Sequence, residues 1–168
     1  MVKKRYIVMG VSGCGKSLIG SLLAKRLGLA FFDGDDFHPP ENVAKMRQGI
    51  PLNDQDRYGW LQTLNDLINR EEGMVLACSA LKPQYRQQLR QGNDAQLIYL
   101  KGGVETIWAR HSCREGHYFN GREMLESQFR ELIEPKVGEA IEVSIDQSAE
   151  RVLDDVLAAL AQSERADK

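Results

Sequence analysis

Neither sign of charge is in excess in this chain: 22 Lys and Arg stand against 24 Asp and Glu, a formal net charge of -2. A surface so balanced has no general field to draw a nucleic-acid polyanion or an anionic membrane, so any basic site must be local. A basic patch interleaved with aromatics, as a nucleic-acid partner would require, is also missing. Cysteine is scarce: Cys14, Cys78 and Cys113 include no closely spaced pair, and an odd number makes a poor disulfide framework, which suits a reducing compartment. Nor is there a long apolar run. After the basic residues Lys3, Lys4 and Arg5 the first such run stops at Met9, too short for a membrane span or signal peptide, and a cytoplasmic protein with no membrane partner is expected. His38 and His117 lack a partner at metal-ligand spacing, which argues against zinc. No repeat or low-complexity tract divides the 168 residues, 42% of them hydrophobic, so residues 1–168 are expected to form one domain around one core.

What the chain does have is an unbroken phosphate-binding pattern: Gly10, Val11, Ser12, Gly13, Cys14, Gly15, Lys16 and Ser17. The glycines let the backbone curl with its N–H groups turned inward around phosphate oxygens. Lys16 then reaches the β- and γ-phosphates of a nucleoside triphosphate and Ser17 offers its hydroxyl to Mg²⁺. Context agrees with the pattern. Tyr6-Ile7-Val8-Met9 reads as a strand before the loop. Leu18, Ile19, Leu22, Leu23 and Leu27 recur at helical spacing after it, so a helix aims the positive end of its dipole at the anion.

The rest alternates strands and helices. Ala30-Phe31-Phe32 is a short strand running into Asp33-Gly34-Asp35-Asp36, and Pro39 and Pro40 open a short helix. Asn53 and Asp54 start a longer helix, expected over about 54–72, with Trp60, Leu61, Leu64, Leu67 and Ile68 on its apolar face and Gly73 as terminator. Residues 74–78 and 97–100 are continuous apolar runs, as in strands buried on both faces of a parallel sheet, with a helix between them starting at Pro83. Residues 141–145 alternate as a strand, and Ala149, Val152, Leu153, Val156, Leu157 and Leu160 stripe the last helix. Five strands with crossover helices give a three-layer α/β domain.

Three clusters carry the expected chemistry. Asp33 and Asp35 follow the second strand two residues apart, so their carboxylates project to one side at the carboxyl edge of the sheet, where ligands bind. Asp33 is expected to hold Mg²⁺ or its water shell and Asp35 to accept the proton of an attacking alcohol. The same residues also suit a plain turn and helix cap. Segment 110–122 holds Arg110, His111, Arg114, His117 and Arg122 against one acid, Glu115, and reads as a mobile basic lid that excludes water and balances charge on the transferred phosphoryl group. Arg114, before Arg110, is expected to balance that charge in catalysis. Recognition groups for an anionic acceptor are sought among His38, Arg57, Lys82, Arg86 and His117, with Trp60 read as packing.

Taken in order, Gly10 to Ser17, Asp33-Gly34-Asp35 with His38-Pro39, Pro51-Leu52-Asn53-Asp54 with Asp56-Arg57 and Trp60, Cys78 to Lys82 with Tyr85-Arg86, Gly116 to Phe119, and Gln128-Phe129 with Glu134-Pro135 resemble the bacterial gluconate kinases of the thermoresistant gluconokinase family. The resemblance spans nearly the whole chain. It implies a P-loop kinase fold with strand order 2-3-1-4-5, shared with shikimate and adenylate kinases, and transfer of the γ-phosphoryl of ATP to the 6-hydroxyl of D-gluconate. It also places Asp35 on the reacting hydroxyl and Arg110 at the start of a nucleotide-contacting lid, and a homodimer is in keeping with it. Cys14 stands where serine is commoner, and Glu115 puts an acid beside Arg114. A kinase for another small hydroxy acid such as shikimate, and a non-catalytic ATP-sensing protein, are the alternatives.

Overall fold

The structure, a computed structural model, describes residues 4–111 and 122–166. Its element order begins with β1 (Arg5–Met9), α1 (Lys16–Leu27), β2 (Ala30–Asp33), a 3-10 turn (Gly34–Phe37), α2 (Pro40–Arg47) and α3 (Asp54–Arg70). It continues with β3 (Met74–Ala77), α4 (Pro83–Leu89), β4 (Gln96–Lys101), α5 (Val104–His111), α6 (Arg122–Glu131), β5 (Ala140–Ser144) and α7 (Ala149–Ala166). The strands form one five-stranded sheet in the order β2-β3-β1-β4-β5, every pairing parallel. That is the 2-3-1-4-5 order implied by the family resemblance. Ile7 sits beside Leu76 on one side and Leu97 on the other, which puts β1 at the centre and the phosphate loop at the middle of the sheet's carboxyl edge.

Side-chain alternation along the strands makes two cores. Tyr6, Val8, Val75, Ile98, Leu100 and Val143 face α1 and α7, where Leu23, Val152, Val156 and Leu160 close the layer. Ile7, Met9, Leu76, Leu97 and Tyr99 point the other way onto Trp60, Leu61, Leu64 and Ile68 of α3 and Tyr85 and Leu89 of α4. Both faces of the central strands are covered, which is why β1, β3 and β4 read as unbroken apolar runs.

The helix starting at Asp54 is set by a reciprocal cap. Asn53 Oδ1 accepts from the Asp56 N–H and Asp56 Oδ2 accepts from the Asn53 N–H, satisfying two otherwise orphaned donors. Its end differs from expectation. α3 stops at Arg70, before residue 72, and Gly73 takes no part in stopping it. A cation from β1 does the sealing: Arg5 Nε donates to the carbonyls of Ile68 and Glu71 at 2.7 and 2.8 Å, so the last turn needs no left-handed residue to satisfy it. Around the expected lid, Arg110 lies in α5 and Arg122 opens α6, where it donates to Glu105 and Glu126. Arg114, Glu115 and His117 fall outside the described residues.

Candidate active site

The phosphate loop connects the end of β1 to the first turn of α1. Gly10, Gly13 and Gly15 all have positive φ, at 149°, 84° and 95°, conformations that admit glycine at little steric cost. At Gly10 the constraint is also spatial, since a Cβ would come within 2.6 Å of Cys14 Sγ and 3.0 Å of the Leu100 carbonyl. Cys14 is thus a buried packing residue inside the loop, 2% exposed. Lys16 Nζ rests against the Val11 carbonyl at 3.3 Å. Beside it, Gly13, Cys14, Gly15, Leu18 and Ile19 meet Arg110, Ile145, Gln147 and Val152 around a cavity of about 280 Å³. Arg110 is held there by its bond to the Gln147 carbonyl at 3.2 Å.

Asp33 caps the turn and also reaches the phosphate loop. Its Oδ1 accepts from the Asp35 N–H at 3.0 Å, capping the 3-10 turn, while its Oδ2 accepts from Ser17 Oγ at 2.7 Å. Two hard oxygen donors so close together, at the mouth of a phosphate loop, fit Mg²⁺, which takes one or two protein oxygens and completes its shell with water and phosphate. Gly34 lets the turn lie close to β3: a Cβ there would meet the Ala77 carbonyl at 2.8 Å. Asp36, next in line, has its carboxyl pushed up by burial and by the neighbouring Asp33 and Asp35 charges.

A polar cleft joins the two halves. Ser12, Lys16, Asp35, His38 and Arg57 line it, together with Leu52, Trp60, Ser79, Leu81 and Gln128. Arg57 is 8% exposed. Burial opposes its charge, but the Tyr85 hydroxyl, 2.9 Å from Nη1, and the Glu131 carboxylate, 3.0 Å away, outweigh it and hold the pKa above the ordinary value. The Glu131 contact is an ion pair without a well-directed hydrogen bond.

The other candidate cations separate. Lys82 pairs with Asp54 at 3.0 Å, where Tyr85 and Gln84 also donate, and it is not among the residues lining the cleft. The Tyr85 hydrogen bond first, and then Lys82, keep the Asp54 carboxyl below its ordinary value. Arg86 departs from its expected role. At 2% exposure it donates Nε to Glu139 at 2.8 Å, Nη1 to the Ala80 carbonyl at 2.8 Å and Nη2 to the Ile133 carbonyl at 2.9 Å. That guanidinium ties together the loop after β3, the segment after α6 and the approach to β5, and nothing in its placement turns it toward an acceptor.

Reasoning from sequence gave no role to Gln128, Glu131 or Tyr85. Gln128 is 5% exposed on α6, and its Oε1 accepts from the Ser12 N–H at 2.7 Å. The missing signal is their distance along the chain, since Gln128 lies 116 residues from Ser12.

A profile of the shikimate kinase family matches residues 12–162. Over 134 residues the chain is 48% identical to the thermosensitive gluconokinase of Escherichia coli (strain K12), covering 77% of this chain and 71% of that one. The thermoresistant gluconokinase of the same strain is 47% identical over 129 residues, covering 74% and 73%. Among solved structures, a gluconokinase from Sinorhizobium meliloti superposes with a TM-score of 0.88 at 36% identity, over 96% of this chain and 93% of that chain.

Proposed function

The chain belongs to the gluconokinase family, within the shikimate kinase-like proteins, and from that premise we infer how its cleft carries out ATP-dependent phosphorylation of gluconate. The reacting group is the 6-hydroxyl of D-gluconate and the product 6-phospho-D-gluconate. Asp35 accepts the hydroxyl proton as the alcohol oxygen bonds to the γ-phosphorus, the bond from that phosphorus to the β–γ bridging oxygen breaks in line, and ADP leaves with the electron pair. The observation that carries this reading is that Asp35 and Lys16 line one cleft, so a carboxylate base and the phosphate-binding lysine face the same acceptor.

Positioning supplies most of the acceleration. Lys16 and the loop N–H groups hold the phosphates, Arg110 flanks the nucleotide cavity, and Arg114 is assigned to the transferred group. Ser17 and Asp33 would hold Mg²⁺, which when bound neutralises charge on the β- and γ-phosphates. Arg57, with its charge sustained by Tyr85 and Glu131, is placed to meet the gluconate carboxylate. Lys82 and His117 complete the proposed acceptor contacts, Lys82 from the rim. A cytoplasmic homodimer with no nucleic-acid or membrane partner is the proposed setting. Near charge balance supports it, and among the described residues no helix is long and apolar enough to cross a membrane.

The test is ADP release from Mg·ATP with D-gluconate, shikimate, glucose, glycerate or no acceptor. Gluconate-dependent turnover is expected, and Asp35→Asn should lower it by about 10²–10⁴ with ATP affinity unchanged. Equal loss of ATP binding would remove Asp35 from the role of base, and preference for shikimate would reassign the acceptor.

A further inference from the structure

His38 is built into the site in an unusual way. Its ring is 3% exposed although it sits at the end of a surface turn, and it stacks on Trp60 with centroids 4.1 Å apart and planes 16° from parallel. Trp60 is itself anchored, its Nε1 donating to the Gly34 carbonyl at 2.7 Å. The ring's in-plane rotation is set from the far side, where Asn42 Nδ2 lies 3.2 Å from His38 Nδ1. Asn42 is 3% exposed, and its Nδ2 also donates to the Asp56 carbonyl at 2.9 Å, an acceptor that can only be met by an N–H. The amide is therefore oriented with nitrogen toward both groups, Nδ1 is the acceptor, and the ring proton sits on Nε2. Nε2 faces Asp35, 3.6 Å from Oδ1.

We propose that His38 is a positioning residue for Asp35: its Nε2–H, locked by Asn42 and Trp60, holds one oxygen of the catalytic carboxylate and so fixes the direction from which that group takes the acceptor proton. At 3.6 Å the contact is longer than a hydrogen bond. Bonds of this kind tighten when the acceptor complex forms, and a rotation of the half-exposed Asp35 side chain suffices to close the gap. The chain of support runs from the α3 cap to the base. Asp56, which completes the capping box, presents the carbonyl that orients Asn42, Asn42 orients His38, and His38 faces Asp35. This assigns His38 to the base in place of the sugar-acid contact expected from sequence.

The proposal rests on the reading of Asp35 as base, so the experiment measures both. Steady-state kcat, gluconate KM and ATP KM are compared for the wild type, Asp35→Asn, His38→Ala, His38→Gln, His38→Asn and the double variant Asp35→Asn/His38→Ala. His38→Ala should lower kcat on the order of 10- to 100-fold, as for loss of a partner that orients a reactive group, with gluconate KM little changed. A glutamine amide reaches the place of Nε2 and an asparagine amide that of Nδ1, so His38→Gln should recover most of the rate and His38→Asn should not. In the Asp35→Asn background the alanine change should cost nothing further, the non-additivity of residues acting as one unit.

A rise in gluconate KM at unchanged kcat, equal rates for the glutamine and asparagine variants, or a full additive loss in the double variant would each overturn it. Retained turnover in Asp35→Asn alone would overturn the base assignment first. The glutamine and asparagine variants are similar in size and polarity, so their contrast remains informative if the alanine variant is poorly folded.

Discussion

The nucleotide side and the acceptor side of the cleft are built by opposite means. The loop on the proposed nucleotide side is a contiguous stretch from Gly10 to Ser17 whose glycines adopt positive φ, the conformation that turns backbone N–H groups inward. The acceptor side is mostly side chains, drawn from the turn after β2, from α3, from the loop after β3 and from α6. A backbone site is specified by its own local sequence, whereas a site of side chains exists only once distant elements have packed. The first is less exposed to changes elsewhere in the fold, tied to α6 chiefly through Gln128, and the second depends throughout on the residues that hold distant elements together.

Arg86 is where that difference should break most visibly. Arg86→Met leaves Glu139, the buried Ala80 carbonyl and the part-buried Ile133 carbonyl without their donor and should cost up to about 3–5 kcal/mol of stability, the range for removing one partner of a buried pair. For a chain of this size that lowers the midpoint of thermal unfolding by roughly 2–4 °C per kcal/mol, readable by calorimetry. Gluconate turnover should fall with it as the loop after β3 loosens. An unchanged midpoint would mean that the acceptor side does not lean on this residue.

Lys16→Ala is the converse. It should lower kcat by about 10²–10³ and weaken ATP binding, as for loss of one preorganised charge on the transferred group, while the thermal midpoint stays where it was. A loss of stability comparable to that of Arg86→Met would erase the distinction between the two sides.

The smallest effect is one of pH. Burial raises the pKa of Glu139, but hydrogen bonds from Arg86 and from the Lys136 N–H outweigh it, so the group is held below its ordinary value of 4.5. A carboxylate depressed in the folded state contributes stability that is present above its unfolded pKa and lost as pH falls through the folded one. Acid titration of the wild type should therefore show a decline below about pH 4.5 that is shallower in Arg86→Met. Parallel curves would show that the pair contributes nothing through its charge.

The same contrast explains what could be read without coordinates. The strands themselves, the phosphate loop and the capped start of α3 follow from local signals, namely continuous apolar runs, glycine spacing and Asn53 before a helical stripe, whereas the order of the strands in the sheet came only with the family resemblance. The end of α3 was misjudged because Arg5, far away in sequence, replaces the glycine that usually marks such a stop. Local sequence favoured Arg57 and Lys82 over Arg86, which lies one turn into its helix, but fixed the fate of none of the three. What separates them is long-range. Tyr85 and Glu131 keep Arg57 at the cleft, Asp54 draws Lys82 aside, and Ile133 and Glu139, 47 and 53 residues away, claim Arg86. Gln128 was legible only as part of the family resemblance, with no role attached, because a glutamine on a helix announces a partner only when the partner is beside it.

Gln128 and Glu131 are three residues apart on α6, on neighbouring positions of one helical face. One grips the phosphate loop through Ser12, and the other pairs with Arg57 on the acceptor side. The helix is thus a crossbar pinned at two points, and a tilt or slide that relaxes one pin must disturb the other. With ATP and gluconate in the sites proposed for them, any factor that the first imposes on the affinity of the second through this helix is one that the second must return in full.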